Sequence, residues 1–118
     1  MLKYTEDHEW LRPEGDEVVV GITEHAAEQL GDVVFIEMPE VGREVEAGEE
    51  IVVIESVKAA SEVISPLAGT ITAVNEDIVA DPGKVNANPQ EAWFFRVKAP
   101  DADLSGFMDE DAYKEMTG

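Results

Sequence analysis

The sequence predicts a small protein that is mainly β, with the many short strands of a sandwich or barrel. Segments rich in Val and Ile recur along its 118 residues, and Gly or Pro separates them at intervals of about ten residues. Hydrophobic residues make up 44% of the chain, which is enough for one modest core and too little for two. We therefore expect a single domain spanning 1–118.

The first half of the chain begins this pattern. Residues 18–22 are Val-Val-Val-Gly-Ile, which indicates a buried strand. A short helix is expected near 23–31, because Thr23 is a good N-cap and Gly31 a good closing residue. The run 32–38 is strand-like through its Val, Phe and Ile residues.

The second half is more strongly patterned. Two strands rich in Val and Ile, 50–57 and 59–64, meet at a tight turn, and a third strand follows at 70–74. We interpret 75–88 as a polar connector and 93–98 as the last strand.

The chain ends in an acidic segment, for which we predict a helix over about 101–117 that follows a core of about 18–98. Apolar residues of this segment would dock the helix on the sheet. They are Leu104, Phe107, Met108, Tyr113 and Met116.

Lys58 stands at the turn between the two patterned strands, and its position needs an explanation. The chain has only 8 Lys and Arg against 27 Asp and Glu. Tight turns usually carry Gly, Asn, Asp or Pro, which meet the backbone requirements, whereas this turn reads Val57, Lys58 and Ala59. A sequence that departs from the local rule indicates a functional position.

The formal net charge is −19, and the acidic residues are spread from Glu6 to Glu115. This charge argues against a nucleic-acid or anionic-membrane surface, because both depend on an excess of Lys and Arg. We interpret the acidic shell as a halophilic adaptation to a very salty cytoplasm, where self-repulsion is screened. The alternative is an ordinary acidic protein.

The residue types that are missing also restrict the function. No cysteine is present, so disulfides, thiolate catalysis and cysteine zinc sites are excluded, and no other metal cluster or catalytic pair emerges. No apolar run approaches the roughly 20 residues of a membrane helix, and the N-terminus lacks the apolar stretch of a signal peptide. We therefore expect a cytoplasmic protein whose redox chemistry, if any, comes from an attached group.

Three motifs surround Lys58: Gly42-x-x-Val45-x-x-Gly48, Glu55-Ser56-Val57-Lys58-Ala59 and Ser65-Pro66-x-x-Gly69. They resemble those of the biotinyl and lipoyl carrier domains, whose barrel-sandwich hybrid fold presents a modified lysine at a hairpin tip. Biotin carriers typically place Met on both sides of the lysine, and Val57 and Ala59 stand there instead. The resemblance therefore implies lipoate attached to Lys58, with Glu55, Ser56, Val57 and Ala59 as the cofactor-binding residues around it.

Three further stretches are Tyr-Thr-Glu-Asp-His-Glu-Trp at 4–10, Gly-Ile-Thr-Glu-His-Ala at 21–26 and Leu-Gly-Asp-Val-Val-Phe at 30–35. They narrow the resemblance to the H-protein family of the glycine cleavage system. Together with the carrier motifs they cover most of 1–98. The chain departs from the family at 89–93, where Pro-Gln-Glu-Ala-Trp is shorter than the usual stretch and lacks its glycines.

This resemblance implies a non-catalytic, lipoylated shuttle. It would take an aminomethyl group from a glycine decarboxylase (P protein) and hand its carbon to tetrahydrofolate on an aminomethyltransferase (T protein). A dihydrolipoamide dehydrogenase (L protein) would reoxidise it, and a lipoylating enzyme would modify Lys58. A mobile shuttle of this kind is best monomeric.

The resemblance also implies that acidic side chains protect the cargo by keeping its amine protonated, since a nearby carboxylate favours the charged form. The positions implied are Glu9 and Glu62, with Asp7 close by. Glu62 is a departure, because Asp is commoner there.

Other functions stay open at this point. Lys58 could serve as a lipoyl donor in a cofactor relay, or belong to a 2-oxoacid dehydrogenase. The latter normally continues through a flexible linker to a catalytic domain, which we do not expect here. The chain could also be an acidic interaction or cation-binding protein whose lysine is unmodified.

Overall fold

The computed structural model describes residues 2–100 and 104–117, and it confirms a mainly β fold with a short early helix and a C-terminal helix. The strands are β1 (Lys3–Tyr4), β2 (Glu9–Glu14), β3 (Glu17–Ile22), β4 (Val33–Glu37), β5 (Glu44–Val45), β6 (Glu50–Ser56), β7 (Ala60–Ile64), β8 (Gly69–Val74) and β9 (Phe95–Lys98). The helices are α1 (Glu24–Leu30), α2 (Glu76–Ala80), α3 (Gly83–Ala87) and α4 (Glu110–Thr117).

The strands form two antiparallel sheets that share one core. The larger sheet has the order β1-β2-β3-β9-β8-β5, and the smaller one has the order β4-β6-β7. Val20 and Phe95 from the larger sheet belong to the same buried cluster as Ile36 and Ile54 from the smaller sheet. Each sheet therefore buries one face against the other, as in a sandwich.

The larger sheet begins earlier in the chain than the sequence predicts. Its first two strands, β1 and β2, precede the strand predicted at 18–22. Strand β2 pairs with the whole of β3, and Gly15 makes the turn between them with a φ of +65°. The Trp10 ring is buried and lies against the backbone of Gly21, where an added Cβ would overlap the indole. Gly21 is therefore required for the close packing of β2 on β3.

Helix α1 begins and ends where the sequence predicts. The Thr23 hydroxyl accepts a hydrogen bond from the amide of Ala26 at 3.2 Å, which is the expected N-cap. Gly31 ends the helix with a φ of +75° and donates its amide to the carbonyl of Ala27 at 3.2 Å.

The expected polar connector at 75–88 is wrong, because this segment contains α2 and α3. Asn75 begins α2 by accepting a hydrogen bond from the amide of Asp77 at 3.1 Å, and the buried Ile78 and Val85 attach the two helices to the core. The run Asp-Pro-Gly at 81–83 predicts a turn and lies between the two helices. Each helix has only five residues, which leaves too short a pattern to separate it from a loop.

The C-terminal helix is shorter than predicted. Residues 101–103 lie outside the described residues, Leu104–Gly106 form a single 3-10 turn, and α4 begins only at Glu110. Of the predicted docking residues, Leu104 and Phe107 pack on the main core, whereas Met116 is exposed.

Two contacts dock this segment on the N-terminus. Met108 and Tyr4 exchange backbone hydrogen bonds of 2.8 and 3.0 Å. The rings of Tyr113 and Tyr4 stack with centroids 4.7 Å apart. Across the part of the chain that the structure describes, no helix is long and apolar enough to cross a membrane.

Candidate functional site

Strands β6 and β7 form a hairpin whose tip is Val57, Lys58 and Ala59. Ser56 holds this tip in shape with its backbone and its hydroxyl. Its amide donates to the carbonyl of Ala59 at 2.9 Å, and its Oγ donates to the same carbonyl at 3.0 Å. The same Oγ accepts hydrogen bonds from the amides of Lys58 and Ala59, both at 3.2 Å. One donation and two acceptances use the full capacity of a hydroxyl.

This arrangement corrects the expectation that nothing local suits these residues to a tight turn. Apart from glycines, His8 is the single residue with positive φ in the described ranges, so Val57, Lys58 and Ala59 keep ordinary backbone angles. The Ser56 hydroxyl supplies the hydrogen bonds that an Asn or Asp would otherwise bring. Val-Lys-Ala is therefore compatible with this turn.

The tip is also attached to the loop that follows α1. The amide of Val57 donates to the carbonyl of Asp32 at 3.0 Å. The side-chain amide of Asn86 donates to the carbonyl of Gly31 at 2.7 Å, and its oxygen accepts from the amide of Val33 at 2.9 Å. These bonds connect the hairpin tip through 31–33 to helix α3, so the backbone that carries Lys58 is held from two sides.

Lys58 itself is exposed, and so are its predicted neighbours Glu55, Val57 and Ala59. Within the described residues its ammonium group makes no hydrogen bond or ion pair, whereas all three Arg side chains, Lys98 and Lys114 are paired with carboxylates. An accessible primary amine without a partner, on a fixed turn, fits the attachment of an acyl group through an amide bond.

A cleft of about 360 Å³ opens beside this hairpin. Its walls come from three parts of the chain: the N-terminal segment 6–9, the C-terminal half of α1, and 61–64 in β7. Ile22 and Ile54 also line it. The hairpin that ends in Lys58 therefore also forms one wall of the cleft, through 61–64.

Glu9 is the buried acid of this cleft, with only 1% of its surface exposed. Its Oε1 accepts a hydrogen bond of 3.3 Å from the hydroxyl of Thr5, while Oε2 is buried without a partner in the described structure. Burial, reinforced by the negative charge of Asp7, raises the pKa of Glu9 to about 8, and the Thr5 bond opposes this only in part. A buried carboxylate with a spare oxygen can receive a cation.

The structure places all three predicted acids around this cleft. Asp7 and Glu62 are exposed and lie on its lining, and Glu9 is the buried member. Strand alternation makes Glu62 a neighbour of Val53 across the hairpin, on the face opposite to the buried Val63. Of the acids predicted to guard the cargo, Glu9 thus has the most enclosed surroundings.

Sequence reasoning missed the residues that hold Glu9 and its neighbours in place. The Thr5 hydroxyl donates to Glu9 and also accepts from the amides of Asp7 and Glu9, at 3.2 Å each. A Thr followed two residues later by Asp is a weak signal of such a local turn.

His8 and Tyr113 are a long-range pair that no local pattern reveals. His8 has a φ of +64°, and its Nδ1 lies 2.9 Å from the Tyr113 hydroxyl, which lies 2.7 Å from the Thr23 hydroxyl. Burial, together with the adjacent His25 ring, lowers the pKa of His8, and Asp7 acts in the opposite direction. This network fastens α4 to the segment that carries Glu9.

The fold and the exposed lysine at its hairpin tip are those of a carrier domain. The family model for the glycine cleavage H-protein matches residues 2–118, and the chain belongs to that family. It is also similar to the crystal structure of a glycine cleavage system H protein from Mycobacterium marinum, with 36% identity and a TM-score of 0.89. That match covers 99% of this chain and 96% of the other. Proteins of this family are lipoyl carriers, generally without catalytic activity of their own.

Proposed function

We propose that this protein is a cytoplasmic shuttle of the glycine cleavage system, with lipoate bound through an amide to Nζ of Lys58. It would carry an aminomethyl group from the glycine decarboxylase to the aminomethyltransferase, and the dihydrolipoamide dehydrogenase would return it to the oxidised state. The observation that carries the proposal is the exposed, unpartnered ammonium group of Lys58 on a turn that Ser56 holds. When bound, the lipoyl group supplies a disulfide that accepts the aminomethyl group.

The hairpin tip contributes accessibility and a fixed origin for the arm. Acylation removes the charge of Lys58, which costs little here because no carboxylate depends on that charge. A backbone held by Ser56 and by Asp32 presents the arm from one constant point. Tethering then replaces free diffusion of the cofactor by a high effective concentration at each partner.

The cleft would hold the cargo between partners. Ser61, the first residue of β7 that lines the cleft, is three residues from Lys58, a distance of about 10 Å along a strand. This wall of the cleft therefore begins close to the origin of the arm.

Glu9 would protect the cargo by binding its amine as an ammonium ion. An amine on a carbon next to sulfur expels the thiolate when its nitrogen lone pair is free, and protonation removes that lone pair. The unpartnered Oε2 of Glu9 can accept a hydrogen bond from an ammonium group that binds in the cleft. The arriving positive charge would lower the pKa of Glu9 from about 8, so that its proton passes to solvent and the carboxylate pairs with the ammonium group.

Mass spectrometry tests the attachment site. After expression with a lipoylating system, we expect one lipoyl adduct per chain, on the peptide that contains Lys58. An adduct on any other lysine, a biotin mass, or no adduct with an enzyme that modifies a known H protein would overturn the proposal.

The lifetime of the loaded form tests the role of Glu9. With loaded protein isolated from the decarboxylase, Glu9→Gln should shorten the half-life of the aminomethyl adduct about tenfold, a change of about 1.4 kcal/mol in the barrier. The control is Glu28→Gln, an exposed acid on α1 that does not line this cleft. Equal half-lives in the two variants would remove Glu9 from the protective role.

A further inference from the structure

We infer that Gly31 is a positioning residue for Lys58, because the lysine stem lies along its backbone. A Cβ built on Gly31 would lie 3.0 Å from Cε, 3.3 Å from Cδ and 3.6 Å from Cγ of Lys58. Three successive carbons of the stem thus lie beside the space where a side chain would be. The stem of this exposed lysine therefore has a defined place on the protein, which we call the Gly31 seat.

The seat requires glycine for steric reasons. A Cβ at 3.0 to 3.3 Å from two carbons of the stem is closer than ordinary van der Waals contact. The backbone of Gly31 is fixed by hydrogen bonds, whereas the far end of a lysine side chain is flexible, so the lysine is the part that would move. Any larger residue at position 31 would displace Lys58 from the seat.

The seat is held rigidly on both sides. Asn86 donates to the carbonyl of Gly31 at 2.7 Å and accepts from the amide of Val33 at 2.9 Å. The next carbonyl, that of Asp32, accepts from the amide of Val57 in the hairpin tip at 3.0 Å. Gly31 and Lys58 are therefore tied to each other through the backbone as well as through their side-by-side packing.

The position of the seat gives the arm a direction. Gln29 and Leu30, the two residues before Gly31, line the cleft that contains Glu9. A stem that lies on Gly31 is consequently one residue along the chain from the lining of the cleft, while Lys58 as a whole stays exposed. This directional role rests on the function proposed above, whereas the packing of Lys58 on Gly31 does not.

The packing can be tested on the unmodified protein by NMR. The chain has five lysines, so labelling with ¹³Cε-lysine gives five methylene signals, those of Lys3, Lys58, Lys84, Lys98 and Lys114. Lys84 is a reference within the same molecule, because it is also exposed and has no ion pair in the described structure. We expect the Cε of Lys58 to be more ordered than that of Lys84 on the picosecond to nanosecond timescale.

Gly31→Ala should lower the order of Lys58 Cε to the level of Lys84 and shift its signal. The matched control is Gly48→Ala, because Gly48 also has a positive φ, +86°, but nothing lies within 4 Å of its added Cβ. Alanine is strained by the positive φ at both positions, but only the Cβ at position 31 would contact Lys58. Equal order of Lys58 and Lys84 in the unaltered protein, or the same change in both variants, would overturn the inference.

A second pair of variants tests the seat without adding a Cβ. Asn86→Asp removes the donor to the carbonyl of Gly31, and Asn75→Asp removes an equivalent donor to the carbonyl of Trp93 at 2.9 Å. We expect only Asn86→Asp to change the Lys58 signal. A change in both or in neither would contradict a seat that Asn86 holds.

The directional role has its own readout. On lipoylated and loaded protein, Gly31→Ala should shorten the half-life of the cargo about two- to threefold, with little change in Gly48→Ala. If the protein takes no lipoyl group, the proposed function fails and the NMR result still decides the seat. If lipoylation is normal and the half-life is unchanged, the directional role fails alone.

Discussion

The hairpin tip and the cleft around Glu9 differ in how their polar groups are hydrogen-bonded. At the tip, the backbone amides of residues 56–59 all find acceptors, and the charge of Lys58 stands in water. In the cleft, Glu9 is buried and one of its two oxygens has no partner in the described structure. The tip pairs its own backbone amides and exposes the charge of Lys58 to solvent, whereas the cleft buries a Glu9 oxygen that has no hydrogen bond.

The proposed function gives a physical reason for the difference between the two regions. An exposed charge costs almost nothing, so the tip can present a reactive amine without loss of stability. A buried polar atom without a hydrogen bond costs about 1–3 kcal/mol, which a stable fold would normally avoid. The unpaired Oε2 of Glu9 therefore destabilises the folded state, and a hydrogen bond from an incoming cation would remove this penalty. The turn that carries Lys58 is thus fully hydrogen-bonded, whereas the burial of Glu9 destabilises the fold at the place where the cargo would bind.

The largest expected effect is that of replacing Lys58, which should remove lipoylation and leave the stability of the fold nearly unchanged. Lys58→Arg should abolish lipoylation, because a guanidinium is not deprotonated in proteins and cannot act as the nucleophile. The free energy of unfolding should stay within about 0.5 kcal/mol, as for other unpaired surface residues. Intact mass and urea denaturation measure the two quantities. Lys84→Arg is the control, and loss of the adduct in that variant would contradict this account.

A pH titration of stability should show the cost of the buried acid. The folded state raises the pKa of Glu9 from 4.5 to about 8, so folding favours its protonated form. Below pH 4.5 both states are protonated and the group has no effect, whereas between about 4.5 and 8 the unfolded chain gives up its proton first. The contribution of Glu9 to stability therefore falls as pH rises, by up to about 5 kcal/mol in all.

Glutamine cannot ionise, so the Glu9→Gln variant should not lose stability in this way as pH rises. Relative to the unaltered protein, the variant should gain stability steadily between about pH 5 and pH 8, as measured by urea denaturation at each pH. Glu28→Gln, the exposed control, should show no such slope. A constant difference between Glu9→Gln and the unaltered protein across this range would mean that Glu9 is not a buried acid of raised pKa.

The next effect tests whether the tip depends on one hydroxyl. Ser56→Ala removes the group that donates to Ala59 and accepts from the amides of Lys58 and Ala59, and it should cost about 1–2 kcal/mol in the free energy of unfolding. It should also slow lipoylation, because the turn that presents Lys58 loosens. Ser56→Thr keeps the hydroxyl and should recover most of both losses. Equal defects in the two variants would show that the hydroxyl is not responsible.

The same comparison shows what the sequence could predict. The hairpin, Lys58 at its tip and helix α1 follow from local signals: β-branched runs, a Thr cap and a closing Gly. The approximate grouping of Asp7, Glu9 and Glu62 came from the family resemblance. Burial of Glu9 could not be predicted, because an acidic residue at the start of a strand in a chain with 27 acids carries no sign of its surroundings.

Apart from the role of Ser56, the missed features depend on distant partners or on short segments. The Gly31 seat needs Lys58, 27 positions further along the chain, and the loop beside it needs Asn86, 55 positions away. Helices of five residues, such as α2 and α3, give too little periodicity for detection. Ser56 is the exception, since its hydroxyl acts within three residues and the turn could have been explained from it.

The smallest expected effect concerns salt, and it separates the exposed charges from the buried acid Glu9. The net charge of −19 repels itself through water, and raising the ionic strength from 0.1 to 1 M shortens the screening length from about 10 to about 3 Å. We expect the melting temperature to rise by roughly 3–6 °C, which corresponds to about 1 kcal/mol. At neutral pH the stability difference between Glu9→Gln and the unaltered protein should change much less, because Glu9 is buried and, with a pKa of about 8, mostly protonated in the folded state. Calorimetry in sodium chloride and in sodium sulfate at equal ionic strength separates screening from specific anion effects. A melting temperature that does not respond to salt would contradict the halophilic interpretation of the acidic surface.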